Sequence, residues 1–227
     1  MFCYQCEQTA GGTGCTKAGV CGKDDASATL QDLIVHQCNG VGALLGDSVD
    51  TEADAFILDG LFTSVTNVNF DADKLAGMAK AGDALIARLL GAGKVLPAAY
   101  ARLEVPAGAS TDAAVEIGRA AGITLRQDKF GATIAGLQDL IEYGLKGVAS
   151  YAHHARLLDQ ESSDVYIEFH RLLGLLAAGE SDINALLGAA LATGALNLTV
   201  MKMLDAGNTG RFGHPEPTVA RVTPVAG

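Results

Sequence analysis

Four of the five cysteines fall within the first twenty-one residues, at Cys3, Cys6, Cys15 and Cys21, spaced C-x2-C-x8-C-x5-C. The Cys3–Cys6 spacing puts two thiolates on one turn, facing a common point. The other two sit on GGTGCTKAGVC, where Gly11, Gly12, Gly14 and Gly19 let the backbone wrap closely and free its amides to donate to sulfur. A compact ring of four thiolates on such a loop suits a cubane iron–sulfur cluster. A four-cysteine zinc site more often shows two C-x2-C knuckles with a longer spacer, whereas the second pair here is C-x5-C. Disulfides are disfavoured in the reducing cytosol, and no strand–helix pattern surrounds the C-x-x-C as redox catalysis would need. The expectation is one 4Fe–4S cluster held by Cys3, Cys6, Cys15 and Cys21. Cys38 falls on the apolar stripe Leu30, Leu33, Ile34, Cys38, Val41 and Leu45 and reads as a buried core residue.

Other chemistry-bearing residues form no competing site. His153 and His154 are adjacent on a predicted helix and diverge by about 100°, so they do not share an ion. With His170 they read as solvent-facing or interhelical hydrogen-bonding histidines. Glu7, Asp24 and Asp25 read as caps or surface charges, and Lys17 and Lys23 as solvated surface charge. His214 reads as a turn or domain-junction residue. Among the motifs sought, the sequence shows no phosphate loop with its lysine, no dinucleotide fingerprint and no Ser–His–Asp pattern.

The chain has 227 residues, 49% hydrophobic and 19% charged, with 28 glycines and no tryptophan. That is a globular composition whose small side chains let helices approach closely. A net charge of −10 argues against nucleic acid and against anionic membrane surfaces as partners. The apolar stretch Ile183 to Met203 is interrupted by Asn184, Thr193, Asn197, Thr199 and Lys202 and reads as a buried helix rather than a membrane span. MFCYQC shows no export signal, which points to the cytoplasm.

These residues must be positioned by helices. LQDLI at 30–34 recurs unchanged at 137–141, and Gly40-Val41 recurs as Gly147-Val148 with the same offset of 107. The predicted organisation is a cluster-binding loop over 1–26 and a three-helix unit over 27–91, with helices at 27–46, 51–67 and 71–91. A connector over 92–131 carries a short helix near 111–121. A second unit covers 132–212, with helices at 132–159, 162–177 and 181–205, and an extended tail covers 213–227. Ser27, Asp50, Asp71, Ser162 and Ser181 are the expected helix starts. Gly122 to Arg126 is the one short strand candidate. The fold class is mainly α: two antiparallel three-helix bundles with the cysteine loop against one end.

MFCYQCEQTAGGTGCTKAGVCGK followed by LQDL, together with YGLKGVASYAHHA and LDAGNTGRFGHPEPT, resembles the hybrid cluster proteins, also called prismane proteins or hydroxylamine reductases. The likeness runs from Met1 to about Thr218. The resemblance implies cluster ligands at Cys3, Cys6, Cys15 and Cys21, of the family's 4Fe–4S class. It also implies an all-helical first domain that, in the family, precedes two α/β domains holding the hybrid cluster where hydroxylamine is reduced. No cysteine follows Cys38 in this chain, so no hybrid cluster is expected within it. The chain alone is therefore expected to move electrons rather than to turn over hydroxylamine. The expected partners are a redox protein or the hybrid-cluster domains, with self-association through uncovered apolar faces. The alternative is a structural module in which the cluster only staples the N-terminus.

Overall fold

The computed structural model describes residues 1–221. Seven α-helices follow the cysteine loop: α1 Asp25–Leu45, α2 Thr51–Thr63, α3 Ala72–Gly91, α4 Thr111–Gly118, α5 Ile123–Arg156, α6 Ser163–Ala177 and α7 Ile183–Phe212. The fold is mainly α. Among the described residues the only strand-like pairing is a single antiparallel bridge between Cys3 and Cys15.

Helix starts follow local capping chemistry. The side chains of Asp24, Asp50, Asp71, Ser110 and Asp182 each accept a backbone N–H from three residues ahead, satisfying donors that a helix end leaves free. Two expected starts move accordingly. Asp24, not Ser27, caps α1, and Asp182, not Ser181, caps α7. The candidate strand at 122–126 is helical from Ile123 onward. Its apolar run is too short for periodicity to separate the two states. Gly131, at φ 78° and ψ 162°, breaks α5 where the second unit was expected to begin.

The two sequence units share one core rather than standing as separate bundles. α1 packs on α2, α3, α4 and α6, while α5 packs on α2 and α7. A single cluster of buried side chains runs from Leu30 through Leu61, Leu75 and Leu145 to Leu173 and Val200. The predicted α1 stripe of Leu30, Leu33, Ile34, Cys38, Val41 and Leu45 is entirely within it. α1 approaches α6 closely because Gly42 has no side chain, and a Cβ there would lie 2.7 Å from that of Leu173. Beside that crossing, His170 Nε2 meets Asp54 Oδ1 at 2.7 Å, both side chains buried, and its Nδ1 meets the O of exposed Gly46 at 3.0 Å. Tyr100 fastens the connector over α1. It stacks on His36 at 4.4 Å and donates to His36 O.

The repeat has matched tertiary contacts. Gln31 Nε2 donates to Asn69 O, and Gln138 Nε2, at the equivalent position, donates to Glu180 O. Each carbonyl lies two residues before the aspartate that caps the unit's third helix.

The segment expected to be a buried helix is instead an outer one. α7 buries Leu186, Ala189, Thr193, Leu196, Val200 and Gly207, a narrow seam spaced by threes and fours. Ile183, Leu187, Leu191 and Leu198 face outward, with Leu191 78% exposed. The helix is long and apolar enough to cross a membrane by length and composition, yet only 28% of its most apolar window is buried. Its apolar residues are spread over all faces, so the sequence pattern marks no preferred side. The tail from Gly213 to Arg221 is non-helical and exposed, His214 included, and Pro224 lies outside the described residues.

Three substitutions test this packing by urea unfolding. His170→Ala leaves the Asp54 carboxylate buried without its partner and is expected to cost about 3–5 kcal/mol. On α7, Leu191→Gln is expected to change stability by less than about 0.5 kcal/mol. Leu196→Ala, in the seam, is expected to cost about 2–5 kcal/mol.

Candidate metal centre

The cysteine loop is built on the Cys3–Cys15 bridge. Phe2 N donates to Cys15 O and Cys15 N to Cys3 O, both at 2.9 Å. Between them the chain turns through a short 3-10 segment at Ala10–Gly12. Gly11, Gly12, Gly14 and, further on, Gly22 take positive φ, which side chains there would oppose. A second turn follows, with Gly19 N on Lys23 O and Gly22 N on Gly19 O, and it sets Cys21 beside Lys23. A Cβ on Gly19 would lie 2.7 Å from Lys23 O, so this turn closes only around a glycine.

All five cysteines are free thiols. Cys3 and Cys15 are buried side by side with Ala28, while Cys6 and Cys21 are half-buried. Cys6 opens onto a cleft of about 340 Å³ lined by Tyr143, Lys146 and the turn at 65–67. Cys38 is remote in the core, touching Ile57 O and Gly60, and burial pushes its thiol well up. The terminal sulfurs are surrounded differently. The Thr9 hydroxyl lies 3.5 Å from Cys15 Sγ, and the amides of Ala10 and Val20 also hydrogen-bond it, together lowering its pKa. Burial pushes Cys3 up to about 11, opposed by the Gln5 amide and the charge of Lys23. Amide donors directed at sulfur are what a four-thiolate anion needs.

Among the described residues, no three His, Cys, Asp or Glu side chains come close enough to hold one metal ion. A single zinc draws four sulfurs onto one atom at about 2.3 Å each. A cubane binds each thiolate to a different iron and so accepts a wider ring. The donor set of four free thiols on one loop, with amides directed at Cys3 and Cys15, fits the cluster.

Lys23 corrects the sequence reading. Rather than a solvated charge, it is 2% exposed and among the largest fully buried side chains. Its Nζ donates to Gln5 Oε1 at 2.6 Å, and Gln5 Nε2 donates to Asp32 Oδ1 at 2.6 Å and to Ala28 O at 2.8 Å. Burial lowers the pKa of Lys23, against the opposing charges of Cys3 and Cys21. Lys17 is exposed as expected, as is Glu7. Asp24 is the α1 cap, and Asp25 pairs with Arg119 at 2.9 Å.

Behind this chain lies a charged network that sequence reasoning missed. Arg126 donates to Asp139 and, at 3.0 Å, to Glu142, while Lys146 Nζ lies 3.6 Å from Glu142. Burial pushes Asp32 up to about 6 and Asp139 up to about 7. Burial also works to raise Glu142, but Arg126 and Lys146 outweigh it and hold that carboxyl below its usual range. The Tyr143 hydroxyl donates to Tyr4 O and ties the loop to α5. Asp32 and Asp139 occupy the same position of the repeated LQDLI, the one signal that could have drawn attention to them. His153 and His170 make interhelical hydrogen bonds and His154 is exposed, the two kinds of placement the sequence suggested. His153 Nδ1 meets Asp59 at 2.8 Å, and His170 meets Asp54.

A model of the Prismane/CO dehydrogenase family matches residues 1–226. Hydroxylamine reductase of Burkholderia lata is 43% identical over 244 aligned residues, covering all of this chain and 44% of the relative. The enzyme of that name from Rhodospirillum rubrum is 43% identical, covering 96% of this chain and 42% of its own length. The one from Escherichia coli O139:H28 is 37% identical, covering all of this chain and 44% of the relative. The chain thus spans less than half the length of these relatives. It belongs to the Prismane/CO dehydrogenase family.

Proposed function

We propose that this chain is the electron-transfer segment of a hydroxylamine reductase. It would hold one 4Fe–4S cluster through Cys3, Cys6, Cys15 and Cys21 and pass charge to a hybrid-cluster centre carried elsewhere in the whole protein. The observation that carries this reading is the terminal loop, where free sulfurs, sulfur-directed amides and a buried ammonium meet. When bound, a cubane cluster supplies a one-electron couple. The residues of this chain bind and electrostatically support it. Four thiolates ligate, the amides of Gln5, Ala10 and Val20 and the Thr9 hydroxyl donate to Cys3 and Cys15, and Gln5 and Tyr143 anchor the loop on α1 and α5. Cys6 and Cys21 are half-buried, so one side of the site lies near the surface, where a redox protein or the hybrid-cluster domains can approach. Reduction of hydroxylamine is proposed for the whole protein, in keeping with the relatives' name.

A structural role has one observation in its favour. The loop is tied to the bundle at both Ala28 and Tyr143, as a staple would be. A reversible one-electron couple in an anaerobic redox titration supports the relay, and a redox-inert cluster supports the staple.

Iron and sulfide analysis of anaerobically purified protein tests the ligand set. The expected content is about four irons and four sulfides per chain. Replacing Cys3, Cys6, Cys15 or Cys21 by Ala, one at a time, is expected to remove at least half of the iron. Cys38→Ala is expected to leave it at the wild-type level. Full iron retention in any of the four ligand variants defeats the assignment of that residue.

A further inference from the structure

A lysine side chain that is nearly fully buried carries a large desolvation cost unless negative charge lies close by. Among the described residues no carboxylate comes within ion-pair distance of Lys23. The hydrogen bond described for its Nζ goes to the neutral oxygen of Gln5. Gln5 in turn is held at its other end by Ala28 O and Asp32. The ammonium is therefore fixed in place while its charge stays uncompensated by its immediate partner. Within its electrostatic reach lie the sulfurs of Cys3, Cys15 and Cys21, together with the Lys146 ammonium and the Asp32 carboxyl. Asp32 acts on Cys3 with the opposite sign from the far side of Gln5.

From this arrangement we propose that Lys23, positioned by Gln5, is the counter-charge that raises the reduction potential of the cluster, and that Asp32 lowers it. The inference rests on the proposed cluster and deepens that reading. An added electron makes the cluster one unit more negative. A fixed ammonium beside it favours the reduced form, and a fixed carboxylate disfavours it. Neither residue ligates; both act through the field at the sulfurs. Gln5 sets their separation, because one amide group bonds both.

An EPR-monitored redox titration of the anaerobically purified full chain tests the proposal, with dithionite as electron donor. At pH 8 the Asp32 carboxyl, pushed up to about 6 by burial, is ionised. Lys23→Met is expected to shift the reduction equilibrium about tenfold toward the oxidised form, about 59 mV more negative for one electron. Asp32→Asn can still accept the bond from Gln5 and is expected to move the potential in the positive direction. Lys17→Met, on the exposed part of the same loop, is expected to leave it in place. Loosened packing alone does not produce shifts of opposite sign. Wild-type potentials in both Lys23→Met and Asp32→Asn, at wild-type iron content, overturn the proposal. Should Lys23→Met fail to fold or to hold iron, Asp32→Asn decides alone: a positive shift supports the proposal and an unmoved potential overturns it. A wild-type chain that binds no iron overturns the cluster reading itself, so the two failures are told apart.

Discussion

Burying negative sulfur is the constraint on which the N-terminal architecture depends. Two of the four terminal cysteines are out of water, and burial alone opposes their ionisation, as the raised pKa of Cys3 shows. Hydrogen-bond donors and positive charge offset this, and both are present. The donors come from the backbone and the Thr9 hydroxyl, so no extra polar side chains crowd the sulfurs. The positive charge is Lys23, itself too buried to be tolerated without anionic neighbours. The sulfurs of Cys3 and Cys15 and the Lys23 ammonium thus act on each other's ionisation.

That mutual dependence explains why the loop is fastened to the bundle and does not hang from it. Gln5 connects Lys23 to Ala28 and Asp32, near the N-terminal end of α1. Asp24 caps that same end one residue after Lys23, so the chain enters α1 directly from the site. α1 is also the helix on which α2, α3, α4 and α6 pack, and its residues are almost all buried. Displacing α1 would move the whole core, so a site attached to α1 is attached to the most constrained element.

What the sequence revealed was local. The apolar stripe of α1 and the aspartate caps of α2 and α3 are patterns within a few turns, and each is found in the structure. The repeat could also be read, since LQDLI is identical in both copies. What escaped was decided by distant neighbours. Lys23 lies on a glycine-rich, polar loop and looks like a surface residue, and only contacts with Gln5 and the α1 end bury it. The outward apolar face of α7 was missed for the opposite reason. Ala, Gly and Leu occur all around that helix, so hydropathy predicted burial on every side while α5 covers only a seam. Gly122 to Arg126 was too short for any period to show.

The repeat gives the strongest argument about which polar positions matter. Cys38 stands at the position that Leu145 fills in the second unit, and both are fully buried. A site interchangeable with leucine is a core position, which separates Cys38 from the terminal four on structural grounds. Asp32 and Asp139 are the reverse case, an acid at the same position of both units, half-buried in the first and buried in the second. Asp32 is met by Gln5 from the cysteine loop, and Asp139 by Arg126 from the first turns of α5. In each unit the carboxyl is met from outside the repeated LQDLI stretch. For the first unit the partner comes from the loop that carries the thiols, so that loop and the α1 acid share a hydrogen bond.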